Sequence, residues 1–498
     1  MVKRSGDIRL LLLLCGLLSA CSTDVGTLEV RLLRSPRAEE DPFSPTSRLV
    51  NLLSVRVDGP DGRVGPIVIS VENQAATLPE VPVGDDQVIE IQGFPGEGSL
   101  PTALARSAPM TIRSGLNTVE LYFGRTNRFS AAPASGDAEG MKTTRTYHTA
   151  TLLPKGDVIA LGGTSEDWRP NITEMVPKAL SSFSLLDGDS LRFLPLDCTQ
   201  KAERCMIAGR VGHTTTALPS GNLLVAGGTV GGIGSQLPVD TTEVMLSTPQ
   251  LFTFSPKMRS PRLGHAAVRQ GSLVLLAGGL MHPSFPAPNK LVEAYVDGQF
   301  SEHSTFQEAR RDFTLTRLAD GALFACGGID GEGRSLASTE ILGVDGRTWR
   351  LGPPMQQGRA FPVTKLLTDG SVLIVGGLES SGTVRAVERY DPETNTLTEV
   401  AQLTLGRWAH TVTQLRDGRV LVVGGYGVNV NGAPSTSVEI LTPPIASGLR
   451  WIRANAEPLR TPRAGHTATL LPNQMVVVIG GVTGGGGDVS NTAEVFVN

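Results

Sequence analysis

The sequence predicts an all-β chain: a seven-bladed β-propeller over residues 126–498, preceded by a small β-sandwich-like domain over 21–125. Three observations lead there. A double glycine closing a short apolar run recurs seven times, at Gly162-Gly163, Gly227-Gly228, Gly278-Gly279, Gly327-Gly328, Gly376-Gly377, Gly424-Gly425 and Gly480-Gly481. Successive copies are 65, 51, 49, 49, 48 and 56 residues apart, and a period near 50 built from short strands marks propeller blades. Composition agrees: 58 Gly and 33 Pro among 498 residues imply many turns, while 40% apolar residues suffice for a core and argue against disorder.

From the N-terminus, Lys3, Arg4 and Arg9 lead into the apolar run Leu10 to Leu18. That run is too short to span a membrane stably but suits the apolar region of a signal peptide over 1–20. It ends in Leu18-Ser19-Ala20-Cys21, which resembles the bacterial lipobox. The resemblance implies cleavage before Cys21, lipidation of that residue, and a place in the bacterial cell envelope, at the outer membrane. Contact with the membrane is expected through this anchor only.

Residues 27–33, 51–57, 66–72, 87–94 and 117–124 are β-rich segments between Pro/Gly/Asp turns, as in a small sandwich. Residues 35–48, "SPRAEEDPFSPTSR", read as an exposed loop. Net charge is only −4 and no basic cluster carries interleaved aromatics, so nucleic acid is not an expected partner.

Each repeat has one internal order. An Arg stands 17 residues before the first glycine in six copies and 16 in one: Arg145, Arg210, Arg262, Arg310, Arg359, Arg407 and Arg463. Three residues later comes His148, His213, His265, His410 or His466, replaced by Phe313 and Pro362 in the remaining two. A Gly-containing turn follows, such as "LPKGD" or "LADGA", which permits a hairpin reversal. The run before the glycines is continuously apolar, as a strand buried on both faces requires. Beyond the glycines each copy has one Glu: Glu174, Glu243, Glu293, Glu340, Glu388, Glu439 and Glu494. Phe252, Phe300, Trp349 and Leu397 then mark a fourth segment, so a repeat reads as four strands, a to d. The seventh copy ends after strand c, and residues 127–132, with Phe129, are expected to supply its strand d and close the ring.

This order resembles the kelch repeat over about residues 127–498. The resemblance implies a propeller whose loop face often carries a ligand site. It also raises two enzymatic alternatives. Galactose-oxidase-like proteins hold copper with Tyr and His and crosslink a Tyr to a Cys; sialic-acid-mutarotase-like ones need a carboxylate and an Arg at the channel. Here Cys326 has no evident Tyr counterpart, and carboxylates and arginines recur as repeat residues. The segment "VDGRTW" is one residue short of a sialidase Asp box.

Five histidines spread one per blade cannot converge on one small site, so they read as satisfied residues of inner strands; no metal and no cofactor is expected. A carboxylate in an apolar strand needs donors, and seven Glu beside seven Arg suggest one ion pair per blade. Either the arginines are occupied in this way or some are free to bind carboxylates of a ligand. Cys198 and Cys205, six residues apart in a polar connection, are expected to form a short disulfide in an oxidising compartment. Cys326 reads as a buried thiol.

The b–c and d–a connections share one face, and the b–c loops vary in length. Rigid strands carrying variable loops are a binding design. The expectation is a monomeric, lipid-anchored envelope protein that binds a protein or glycan partner.

Overall fold

Strands that are apolar on both sides must be covered on both sides, and this chain does so by stacking small sheets around an axis. The structure, a computed structural model, describes residues 8–12, 25–37, 39–43, 49–60, 62–70, 81–133, 140–168, 178–194, 204–230, 237–247, 251–282, 285–427, 432–444, 450–484 and 487–498. Cys21, Glu174 and Cys198 lie outside these residues; Cys205 is disulfide-bonded.

Among the described residues, seven antiparallel sheets share the order a-b-c-d. The fourth is typical: Thr314–Arg317, Leu323–Cys326, Thr339–Leu342 and Trp349–Leu351. Strand b is buried throughout in six sheets, and in the third all of it but the edge residue Leu273, as its unbroken apolar run demands. In the first sheet strand d is reduced to a single bridge between Leu186 and Phe193. In the seventh, Arg128–Ala131 pairs antiparallel with Ala493–Val497, placing Phe129 against Phe496 with ring centroids 5.2 Å apart.

The double glycines join one sheet to the next. The second glycine of each repeat donates its N–H to the carbonyl of the Arg that opens the following repeat, from Gly163 to Arg210 at 2.8 Å round to Gly481 and Arg145 at 2.9 Å. The circuit closes on itself. The first glycines have φ between 59° and 69°. A Cβ on Gly376 would stand 2.6 Å from the Arg407 carbonyl oxygen and 2.7 Å from the His410 ring. Both the left-handed backbone and the close approach require glycine.

The N-terminal residues form two further sheets. One contains Val25–Leu33 with Gly115–Tyr122 parallel beside it and Ile8–Leu12 antiparallel on its other edge; the second is built on Leu52–Gly59 and Gly84–Phe94. Burial alternates along Leu52–Gly59, so one face of that strand faces the core. Leu28, Val30, Val55, Val57, Ile89 and Ile91 share a single core between the sheets. Short strands Ala103–Arg106 and Met110–Ile112 complete the second sheet, without an equivalent in the sequence reading.

The reading of 35–48 as an exposed loop holds at Pro36, Arg37 and Glu39 and is corrected at Ser35, Glu40 and Pro42. Ser35 and Glu40 are buried, and Glu40 pairs with Arg460 (Nε to Oε1, 2.5 Å) and accepts the Ala131 N–H at 2.8 Å. The loop thus holds the strand that completes the seventh sheet. Tyr122 is buried among Val158, Phe193 and Val497, fixing the N-terminal unit against the first and seventh sheets.

Candidate functional site

The head of each strand a brings together the Arg and Glu series. All seven arginines are at most 1% exposed. Each donates through Nη1 to the carbonyl of its own first glycine and to a carbonyl at the start of strand c; for Arg407 these are Gly424 at 2.9 Å and Ser437 at 3.1 Å. Six then meet a carboxylate: Arg210–Glu243 (2.9 Å), Arg262–Glu293 (2.7 Å), Arg310–Glu340 (2.8 Å), Arg359–Glu388, Arg407–Glu439 (2.6 Å) and Arg463–Glu494 (3.1 Å). Each carboxylate also accepts backbone N–H groups from the residues two or three before its Arg, as Glu340 does from Gln307 and Glu308. Burial pushes the Arg262, Arg359, Arg407 and Arg463 pKa values down while the facing carboxylate pulls them back up.

Of the candidate ligand-binding residues Arg145, Arg210, Arg262, Arg310, Arg359, Arg407 and Arg463, the last six are thereby corrected: each is occupied by its own blade's carboxylate. Their guanidinium groups are enclosed, and their Nη donors face atoms of the protein itself. Arg310 is further enclosed by Phe306 and Phe313, whose ring centroids lie 5.6 and 6.0 Å from its guanidinium carbon. The first repeat departs from the pattern. Its strand c is Phe183–Leu186, and Ser184 stands opposite Ala160 where Glu243 stands opposite Val225 in the second. The assignment of Glu174 to strand c was displaced by the long segment between the glycines and that strand.

The histidines link neighbouring blades. Nε2 of His148, His213, His265 and His466 lies 2.9–3.2 Å from the Oγ1 of Thr467, Thr149, Thr214 and Thr411 respectively, each on strand a of the preceding repeat. The partner position for His410 is Val363, and among the described residues neither ring nitrogen of His410 makes a side-chain hydrogen bond of this kind. Burial, aided by the adjacent Arg charge, pushes His213, His265 and His466 down to about 3, and His148 and His410 well below their ordinary value. They stay neutral and serve as structural links.

One more ring lies two residues after the arginines, and the sequence reading missed it. Tyr147, Gly212, Gly264, Asp312, Phe361, Ala409 and Gly465 all have left-handed backbones, with φ between 49° and 67°. Such a backbone costs a residue with a Cβ roughly 1–2 kcal/mol. Backbone bonds tie the ring together: Tyr147 N–H to Gly465 O (2.9 Å), Gly465 to Ala409 (2.9 Å), Phe361 to Asp312 (2.8 Å) and Asp312 to Gly264 (2.7 Å). These positions stand where the innermost strands begin, at the mouth of the central axis on the b–c/d–a face. The Asp312 carboxylate lies over Gly264, where a Cβ would approach it to 2.2 Å, and the Tyr147 ring lies over Gly465. The available signal was glycine in three repeats at a place where four others carry a side chain.

Around this mouth aromatic rings gather. Tyr147 meets Trp168 edge-on at 5.5 Å, Phe361 meets Trp408 at 5.4 Å, and Trp408 meets Tyr426 at 5.0 Å. Tyr426 donates its hydroxyl to Asp167 Oδ1 at 2.9 Å. Burial pushes the Asp312 carboxyl up, against the opposing pull of its partner Arg311. Trp408 and Tyr426 are fully buried and Trp168 nearly so, which leaves Tyr147 and Phe361 as the partly exposed rings of this group.

Comparison with known proteins agrees with this architecture. The kelch motif matches residues 318–356, from the turn after strand a through strand d of the fourth repeat. The chain carries a kelch repeat. Beta-scruin of Limulus polyphemus is 27% identical over 199 residues, 38% of this chain and 21% of scruin. An F-box/kelch-repeat protein of Arabidopsis thaliana is 31% identical over 153 residues, 30% of this chain and 37% of its own length. The chain thus matches well under half of each relative. Among solved structures, a fungal alcohol oxidase in complex with copper aligns with a TM-score of 0.54 at 13% identity, over 74% of this chain and 75% of the oxidase. At that identity the likeness shows a shared β-propeller fold and nothing more. Among the described residues no three His, Cys, Asp or Glu side chains are placed to hold one metal ion. Cys326 is buried with its thiol 3.3 Å from Met355 Sδ.

Proposed function

We propose that this protein is a lipid-anchored, cell-envelope binding protein: a seven-bladed kelch propeller carried on a β-sandwich, taking a glycan or protein partner at the mouth ring. The observation that carries this reading is the position two residues after each Arg. The scaffold repeats around it, yet Tyr147, Asp312, Phe361 and Ala409 occupy a backbone conformation that Gly212, Gly264 and Gly465 adopt without strain. Side chains kept at strained positions cluster at functional sites. Aromatic faces at Tyr147 and Phe361, with carboxylates at Asp312 and Asp167, suit a sugar ring or a peptide bearing aromatic and basic groups. The anchor rests on the lipobox-like Leu18–Cys21, and the protein is expected to act as a monomer at the outer membrane.

The test is retention of envelope glycan and protein fractions on immobilised 22–498, compared with Phe361→Ala and Tyr147→Ala. A retained component whose binding falls at least tenfold in these variants, with little change in Tm, is the expected result. Equal retention by wild type and both variants would remove the mouth as the site. Separately, Cys21→Ser should leave the full-length chain in the aqueous phase of a detergent partition, whereas wild type enters the detergent phase.

A further inference from the structure

Six of the seven repeats neutralise a buried guanidinium with a carboxylate of their own, and the first does not. Arg145 is fully buried, like the others, and donates through Nη1 to the carbonyls of Gly162 (2.9 Å) and Ser182 (3.1 Å). Where the others meet a Glu, its Nη2 meets two hydroxyls, Ser182 Oγ at 3.1 Å and Ser184 Oγ at 3.3 Å. Among the described residues no carboxylate pairs with it, and its Nε, like those of Arg310 and Arg359, has no partner there. Burial pushes it down to about 10, so it stays charged at neutral pH.

One further donor of the carboxylate seat has a counterpart here. In the second, fourth and seventh repeats the N–H two residues before the Arg, on Ala208, Glu308 and Thr461, donates to the Glu. The equivalent in the first repeat is Thr143, whose N–H donates to no group among the described residues. Two hydroxyls and a guanidinium edge meet where a single negative charge sits in six sister blades, and Thr143 holds the chain position of a donor used in three of them. A lone buried cation is costly unless an anion accompanies it.

We propose that the first blade binds a small monovalent anion, a halide or a formate-sized carboxylate, between Arg145, Ser182, Ser184 and Thr143. Size sets the class. Replacing Glu by Ser removes little more than a carboxylate group, which leaves room for formate or a halide. One guanidinium balances one charge, so sulfate and phosphate are too large and too highly charged.

The experiment uses the 22–498 chain at constant ionic strength set with sodium gluconate. Replacing gluconate stepwise by bromide or formate is expected to raise the wild-type Tm by a few degrees and to saturate, while sulfate does not. Ser184→Glu supplies the missing carboxylate; it should melt higher than wild type in gluconate alone and no longer respond to bromide. Crystals soaked in bromide should show an anomalous peak within hydrogen-bonding distance of Arg145 in wild type and none there in Ser184→Glu. An absent peak together with equal Tm in all anions overturns the proposal, as does a bromide response that persists in Ser184→Glu. If Ser184→Glu fails to accumulate, the wild-type bromide peak decides alone.

Discussion

The arginine that opens each inner strand and the residue two places after it circle the same axis under opposite constraints. The Arg ring is chemically uniform and enclosed: seven guanidinium groups, fourteen Nη1 bonds to carbonyls by design of one strand geometry, six carboxylates. The mouth ring shares one backbone conformation and no side-chain chemistry. Uniformity follows from burial, because an enclosed charge tolerates only a partner that neutralises it. Variety follows from position, because a side chain at the mouth meets whatever lies on the axis. A residue repeated in every blade is thus a poor guide to function in this chain, and one that breaks the repeat is a better one.

The contrast can be tested from its strongest side. Glu439→Gln leaves Arg407 buried without its counter-charge and should cost about 3–5 kcal/mol, read from chemical denaturation. A loss below about 1 kcal/mol would mean that the Arg ring is less enclosed than its geometry indicates. Acid should act next. His213, His265 and His466 have folded pKa values of about 3 against an ordinary value near 6.5. Between those values the unfolded chain takes up a proton that the folded one refuses. Stability should therefore be complete above pH 6.5 and fall as pH drops, by about 1.4 kcal/mol per unit for each His. His265→Phe copies the solution of the fourth repeat, Phe313, and should remove one His from that slope while changing stability at pH 7.5 little.

A smaller gain is expected from Val363→Thr, which places a hydroxyl where the four bonded histidines find theirs. Supplying His410 Nε2 with that partner should add about 0.5–1.5 kcal/mol. An unchanged midpoint would show that the inter-blade His–Thr bond contributes nothing. Smallest of all on stability is Asp312→Gly at the mouth. It relieves a left-handed aspartate and removes the Arg311 pair, so the two changes should offset to within about 1 kcal/mol. A loss as large as that of Glu439→Gln would erase the distinction between the two rings and remove the mouth as a binding site.

Much of this was legible in the residues themselves. The period near 50, the unbroken apolar runs and the double glycines are local signals, because burial on both faces demands an apolar strand and the left-handed close approach demands glycine. The Arg–Glu pairing was legible too, since a carboxylate in an apolar strand must find donors nearby. What the sequence could not decide was which repeat breaks the rule. Glu174 matched the pattern in one dimension, but only strand register places Ser184 opposite Ala160 and leaves Arg145 among hydroxyls. Nor could it show that Tyr147, Gly212 and Asp312 share one ring or that Glu40 reaches Arg460, since those residues are 65 to 420 positions apart. Periodicity is written along the chain, whereas a charge's partner and a channel's lining are settled only when distant blades meet.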